Sequence, residues 1–386
     1  MGKIDYDEIK TYCKDHKDWF IQRLKKYVKA ESPTDDIMQN RKLLHAIAGD
    51  FKELDYSVEW KESVSSAGQI ICTPVNSDLR KDQLLIGHAD TVWPVGTLER
   101  MPWIIDGNVI RGPGVYDMKA GIVMMQLGIK IMKELGLNPK LRPVVMITSD
   151  EETGSRDSWG EIEEIAKSVS RVFVPEPSIG LEGKIKTERK GSGRYQIRVK
   201  GKEAHSGVEP EKGASAIVEM AHIIQKLDQL NDYDKGVSLN VGLISGGKAV
   251  NIVAGECNIE VDLRYMEKAD GEAIDKKIKS LESELEETEI TVEGGLRRPP
   301  VTKNERNKRL WELAQNSAGK LGLTIEEGLS GGGSDGSITS QFTATIDGMG
   351  AVGEGAHSPS EKILIEETLD RAALLTVMLL AEDVDG

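Results

Sequence analysis

The sequence predicts an α/β protein: a helix-covered, mostly parallel sheet with a smaller ferredoxin-like βαββαβ domain inserted into it. Three observations carry that prediction. Up to about residue 176, short apolar runs alternate with amphipathic or apolar helical stretches, the pattern of a parallel sheet with crossover helices. From about Arg189 the texture changes to strand, helix, two strands, helix, strand, the order of a split βαβ unit. After Pro299-Pro300 the chain resumes helix, strand and helix, as if completing the first sheet. Together these place one discontinuous domain at 1–188 and 298–386 and an inserted one at 189–297. A chain of 386 residues has room for roughly two domains of 100–200 residues each.

In order along the chain, residues 5–29 and 41–54 show helical spacing, the second with Leu43, Leu44, Ile47 and Phe51 on one face. Strands are expected at 56–60, 69–72 and 83–87. The stretch AGIVMMQLGIKIMKEL, 120–135, is a strongly apolar helix that Gly136 and Pro139 end. Strands follow at 144–148 and 171–174. In the insert, strands at 194–199, 238–244, 258–263 and 289–293 alternate with helices. One carries Ile217, Ala221, Ile224 and Leu227, the other Ile274, Ile278, Leu281 and Leu285. A helix at 305–321 returns the chain to the first domain.

The balance of 50 basic against 64 acidic residues gives a net charge of −14, which argues against a nucleic-acid partner. No apolar run approaches the ~18 residues that span a bilayer, so no membrane partner is expected. The first stretch, MGKIDYDEIKTYCKDHKDW, is charged throughout and unlike a signal peptide. Cys13, Cys72 and Cys257 are odd in number and far apart, neither a disulfide framework nor a zinc knuckle. A reducing cytoplasm is the expected location.

The chemistry gathers just past the strand ends, where ligands of such sheets bind. In LLIGHADTVWPVGT, 84–97, His88 and Asp90 stand two apart at the exit of an apolar strand. Such residues share a face, so both can touch one object or one can orient the other. GPGVYDMKAG sets Asp117 before a helix, and MITSDEETGS sets Glu151 and Glu152 after a strand. VFVPEPS sets Glu176 after the next strand, and GEGAHSPSE sets His357 in a Gly-rich loop. Each alone reads as a solvated loop residue; the whole set at strand ends and in Gly-rich loops does not. Imidazoles and carboxylates suit Zn²⁺ or a similar divalent ion. Two ions, three carboxylates and one hydroxide sum to zero charge, which lowers the cost of burying them. Adjacent Glu151 and Glu152 point apart, so one can ligate while the other acts as a general base. A two-carboxylate glycosidase would leave both histidines unexplained.

The ordered set GHADTV, GVYDMKAG, SDEETGS, PEP, KEAHSGVEPEKGASAI, GGGSDGS and GEGAHSPSE resembles the M20 metallopeptidase family. It is most similar to the branch of glutamate carboxypeptidases and N-acyl-amino-acid deacylases, over essentially the whole chain. The resemblance implies two divalent ions, Zn²⁺ first, with Co²⁺ or Mn²⁺ as alternatives. His88, Asp117 and Glu176 would hold one and Asp117, Glu152 and His357 the other. Asp90 would orient His88, Glu151 would be the general base, and a cis peptide would follow Asp117. It further implies that His205 polarises the scissile carbonyl and that Asn251, Arg264 and Arg298 contact substrate. Arg297 remains open as the alternative to Arg298. Gly332 and Gly333, in SGGGSDG, would offer backbone N–H groups. The implied reaction is hydrolysis of a small peptide or N-acyl amino acid to free an amino acid with its α-carboxylate, by a homodimer joined through the inserted lid domain. An aminopeptidase or dipeptidase of the same family is the alternative, against which Glu176 argues, because that branch usually has Asp there. A non-catalytic binding protein on the same scaffold should have lost Glu151 or a ligand. The chain departs from the family at Ser215, commonly Asn, and Gly336, often Ala.

Overall fold

The computed structural model describes residues 4–383, and the chain divides into two compact units. The first comprises residues up to Glu188 together with Lys303–Ser330 and the stretch from Ser334 onward; the second is Arg189–Thr302 with Gly331–Gly333.

The first unit is built on an eight-stranded sheet. Its spatial order is Tyr56–Lys61, Gln69–Pro74, Arg142–Thr148, Asp82–His88, Arg171–Val174, Ala344–Asp347, Ile185–Arg189 and Glu327–Ser330. The four central strands, from Arg142–Thr148 to Ala344–Asp347, pair in parallel. The strands joining on either side are antiparallel. Period-two alternation sends neighbouring side chains into two different cores. Leu85, Val145, Ile147 and Phe173 enter one, Leu84, Ile86, Val144, Met146, Val172 and Val174 the other. The first core is closed by Ala120–Glu134 and Ile365–Leu380, helices apolar nearly all round, as a doubly covered helix must be. The second is closed by Trp159–Ser168 and the short helix Asp335–Thr339.

Three features differ from the sequence reading. The expected helix over 5–29 is two, Tyr6–Asp15 and Lys17–Lys29, broken at His16, whose Nδ1 lies 2.9 Å from the Tyr12 carbonyl while its ring stacks on Tyr12. The next helix starts earlier, at Ile37, because Asp36 caps it through the Gln39 N–H at 3.0 Å. A small antiparallel sheet of Ile104–Asp106, Val109–Arg111, Gly353–Glu354 and Lys362–Leu364 was not foreseen.

At the opposite end from the strand exits, fully buried Arg171 closes the last helix. Its guanidinium donates to the carbonyls of Met378, Ala381 and Glu382 at 3.1, 2.9 and 2.7 Å, and to Gln83 Oε1. Burial lowers it to about 10, so it stays cationic at neutral pH.

The second unit is a four-stranded antiparallel sheet ordered Ser238–Gly246, Glu256–Tyr265, Gly191–Lys200, Glu289–Leu296. With helices Ala216–Asp228 and Lys268–Lys279 it is the ferredoxin-like arrangement. In Gly191–Lys200, Tyr195, Ile197 and Val199 are buried while Arg194, Gln196, Arg198 and Lys200 face out, so one face carries the core. Edge strand Ser238–Gly246 leaves Leu243 and Ile244 61–63% exposed, unusual for an edge left to solvent.

Candidate metal centre

Parallel strands release their next residues on one side of the sheet. Asp82–His88 ends on His88 itself, Arg142–Thr148 leads into the 3₁₀ turn Glu151–Thr153, and Arg171–Val174 leads to Glu176. Asp117 comes from the bend before the helix Ala120–Glu134, and the Asp117-Met118 peptide is cis. His357 sits in the left-handed region at φ 59° in its Gly-rich loop.

These side chains converge. His88 Nε2 lies 3.3 Å from Asp117 Oδ1 and 3.2 Å from Glu176 Oε1. His357 Nε2 lies 3.2 Å from Asp117 Oδ2 and 3.1 Å from Glu152 Oε2. Asp117 therefore gives one oxygen to each imidazole. For ligands about 2.0–2.1 Å from a tetrahedral ion the ligand-to-ligand edge is roughly 3.3 Å, so this spacing fits a metal. The other Glu152 oxygen is buried with no hydrogen-bond partner among the described residues, as expected of a ligating carboxylate. His88, Glu151 and Glu176 form one group with ligand atoms within 4.8 Å of one another and His88, Asp117 and Glu152 another, with Glu152 also facing His357.

The electrostatics follow. Burial alone would lower His88, but hydrogen bonds to Asp117, Asp90 and Glu176 outweigh it and hold the imidazole well above its usual range. Hydrogen bonds to Asp117 and Glu152 push His357 up to about 11. Burial works to raise Asp117, yet the two histidines hold it far below the usual carboxylate range. Glu152 is raised, chiefly by burial.

Asp90 does more than face His88. The His88 Nδ1 contact to the Asp90 backbone carbonyl is 2.9 Å, shorter than the 3.4 Å to its carboxylate. The carboxylate itself, fully buried, accepts the Thr34 hydroxyl at 2.7 Å and the backbone N–H groups of Glu151 and Glu152 at 3.3 and 3.1 Å. It thus pins the Glu151–Thr153 turn to the exit of the His88 strand. Burial would raise Asp90, but His88, Thr34 and the Glu152 N–H keep it low.

The sequence reading missed Glu361, four residues after His357. It is fully buried and accepts the backbone N–H groups of Gly114, Tyr116 and Asp117 and the indole N–H of Trp93. Burial pushes its carboxyl up to about 7 against those backbone donors. Lys119 was also missed; it is buried, donates to the Tyr27 carbonyl at 3.1 Å, and burial lowers it to about 8.

The remaining candidates belong to the second unit. His205 and Asn251 come together there: His205 bridges Ile252 and the Ser206 N–H donates to the Asn251 carbonyl at 3.1 Å. Both residues are exposed. Arg264 forks onto Asp262 at 2.7 and 3.2 Å and donates to the Gly331 carbonyl at 3.2 Å. Arg298 is buried and Arg297 exposed. A Cβ on Gly333 would lie 2.5 Å from Arg298 Cδ, so this close approach requires glycine. The carbonyls of Gly332 and Gly333 accept from Arg189 at 2.9 and 3.2 Å. The two departures from the family have local reasons. Ser215 caps Ala216–Asp228 through the Val218 N–H, as Asn would, and a Cβ on Gly336 would meet Asp347 Oδ2 at 2.6 Å.

A parallel sheet with imidazoles and carboxylates gathered at its strand ends, at metal-ligand spacing, defines a metal-dependent hydrolase. The peptidase dimerisation domain of the M20 family matches residues 187–290. The chain is 26% identical over 370 residues to carboxypeptidase G2 of Pseudomonas sp. (strain RS-16), covering 94% of this chain and 88% of that protein. It is 27% identical over 225 residues to acetylornithine deacetylase of Myxococcus xanthus, covering 55% and 57%. The crystal structure of aminopeptidase PepT from Bacillus cereus superposes with a TM-score of 0.78 at 23% identity, covering 96% of this chain and 99% of that one. The chain thus carries the peptidase dimerisation domain of the M20 family and is similar along most of its length to a carboxypeptidase, and over about half of it to a deacylase.

Proposed function

We propose that this protein hydrolyses the amide bond of an N-acyl amino acid or small peptide and releases an amino acid with a free α-carboxylate. The observation that carries the reading is that Asp117 offers one oxygen to each of two imidazoles, with Glu151 beside His88 and Glu176. His88, Asp117 and Glu176 would hold one divalent ion and Asp117, Glu152 and His357 a second, Zn²⁺ before Co²⁺ or Mn²⁺. When bound, such ions polarise a carbonyl and lower the pKa of a shared water.

The chain's own residues do the rest. Glu151 takes a proton from the attacking water as its oxygen bonds to the carbonyl carbon. Glu151 then returns the proton to the nitrogen as the C–N bond breaks. Asp90 keeps Glu151 in register with His88 through the Glu151 N–H. His205 is assigned to the oxyanion, and Asn251, Arg264 and Arg298, with Gly332 and Gly333, to the substrate's amide and carboxylate. The likeness to carboxypeptidase G2 and acetylornithine deacetylase, and Glu rather than Asp at 176, favour this over an aminopeptidase or dipeptidase. The dimerisation-domain match and the exposed Leu243–Ile244 edge support a homodimer through the second unit. Cys13, Cys72 and Cys257 are all free and buried, and no described helix is long and apolar enough to cross a membrane; the thiols favour a reducing cytoplasm.

The test is a hydrolysis screen of N-acyl amino acids, their C-terminal amides and free tripeptides, with Zn²⁺, Co²⁺ and Mn²⁺ added in turn. Cleavage of the free-acid N-acyl substrates and not of their C-terminal amides is expected. Turnover of unblocked tripeptides with none of the N-acyl acids would overturn the reading.

A further inference from the structure

The bend that carries Asp117 is held by a side chain outside the metal-facing set. One oxygen of Glu361 accepts the N–H of Tyr116 at 2.9 Å and that of Asp117 at 3.1 Å. The other accepts the N–H of Gly114 at 2.9 Å and Trp93 Nε1–H at 2.8 Å. A carboxylate has about four acceptor positions, so Glu361 is saturated, three of its four donors belonging to the bend that presents Asp117 and the fourth being the Trp93 indole. Glu361 itself is tied to the histidine loop. Its N–H donates to the Ser358 carbonyl at 2.9 Å, and the Ser358 N–H donates to the Gly355 carbonyl at 2.9 Å. The turn Gly355–Glu361 that carries His357 therefore ends in the clamp on the Asp117 backbone, and His357 Nε2 faces the Asp117 carboxylate at 3.2 Å.

We propose that Glu361 is a positioning residue of the metal centre: by locking the Gly114–Asp117 backbone to the His357 loop it sets the carboxylate shared between the two ions, and so the affinity for the ion on the His357 side. The inference rests on the dinuclear reading above. Glu361→Gln is the sharp perturbation. The amide keeps one acceptor oxygen for two of the donors, but its NH₂ must then face the other two N–H groups. That repulsion moves the bend that presents Asp117. Outer-sphere changes of this kind typically cost about 10–100-fold in metal affinity.

The experiment measures stepwise Zn²⁺ and Co²⁺ dissociation constants of the chelator-treated full chain by competition with a chromophoric chelator. Wild type, Glu361→Gln, Trp93→Phe and Arg171→Met are compared, with thermal melts on each. Arg171→Met is the control for general destabilisation, since Arg171 lies at the other end of the sheet. The expected result is two sites in wild type and in Arg171→Met. In Glu361→Gln one site should weaken about 10–100-fold, with kcat falling at limiting metal, recovering at saturating metal, and KM unchanged. Trp93→Phe, which removes one donor of four, should show a smaller loss at the same site. Two wild-type constants in folded Glu361→Gln overturn the proposal. If that variant does not fold, unchanged constants in Trp93→Phe overturn it instead. Wild type that binds one ion or none sinks the dinuclear reading and this inference with it; two ions in wild type with an unaffected variant sinks this inference alone.

Discussion

Replacing Glu151 and Glu152 one at a time by Gln should give opposite phenotypes from adjacent positions. Both residues are anchored through backbone N–H groups on Asp90, at 3.3 and 3.1 Å, so neither substitution disturbs the turn that presents them. What changes is the side chain alone. Glu152 Oε2 lies 3.1 Å from His357 Nε2 and its other oxygen is buried without a hydrogen-bond partner. Gln there exchanges an anionic donor for a neutral one in a site that gathers positive charge, and metal on the His357 side should be lost. Glu151 lies beside His88 and Glu176 and is assigned the proton transfers. General-base catalysis contributes about 10²–10⁴-fold, or roughly 3–6 kcal/mol at about 1.4 kcal/mol per tenfold. Glu151→Gln should therefore lower kcat by at least ~10²-fold with metal content near wild type. The assay is kcat and metal stoichiometry on the same purified batches, with melting curves for both. Metal loss in Glu151→Gln together with full metal and impaired turnover in Glu152→Gln would falsify the assignment of base and ligand.

Other outcomes follow from features described above. At pH 7 the metal-free protein holds protons on His88 and His357, because both titrate well above their usual range. Metal binding should thus release about two protons and tighten as pH rises, read from calorimetry in buffers of different ionisation enthalpy; buffer-independent heats would refute it. In the metal-free protein, the stability that His357 gains from its carboxylates is complete below its ordinary 6.5 and fades as pH climbs through about 11, so chelated protein should melt lower in alkaline buffer. Arg171→Met leaves three helix-end carbonyls without their cationic donor and should cost about 2–5 kcal/mol, seen as a lower Tm with unchanged KM. Leu243→Asp, on the exposed edge of the second unit, should yield monomers in light scattering after gel filtration, and persistent dimers would move the interface elsewhere.

The fold was legible where burial imposes a period. The central strands and the helix Ala120–Glu134 are apolar because both faces of the sheet are covered, and the insert's strand and helix order stood out by alternation. The small sheet was not, because its strands are two or three residues long and its outer one, Ile104–Asp106, is exposed along its length. The break at His16 escaped because both flanking helices feed the same core with one amphipathic spacing. In the centre, residue types that coordinate metal announced themselves at strand ends, and the structure brings His88, Asp117, Glu151, Glu152, Glu176 and His357 together. Glu361 gave no such signal, since three of its four partners are backbone N–H groups some 245 residues away and backbone has no sequence. The same holds for Asp90: a side-chain reading foresaw contact with His88 but not its grip on the turn of Glu151 and Glu152.

The entry and exit of the second unit lie side by side. Arg189 and Val301 exchange backbone hydrogen bonds at 3.0 Å, and just outside them Lys303 pairs with Glu188 at 3.2 Å. The interruption of the first unit is therefore a gap whose two lips already touch, and closing it asks for a linker of only a few residues. For genetic design this makes residues 189–302 a cassette. It can be deleted or exchanged for another βαββαβ module while the host keeps both lips of the splice and the strands that lead to His88, Glu151 and Glu176 stay as they are.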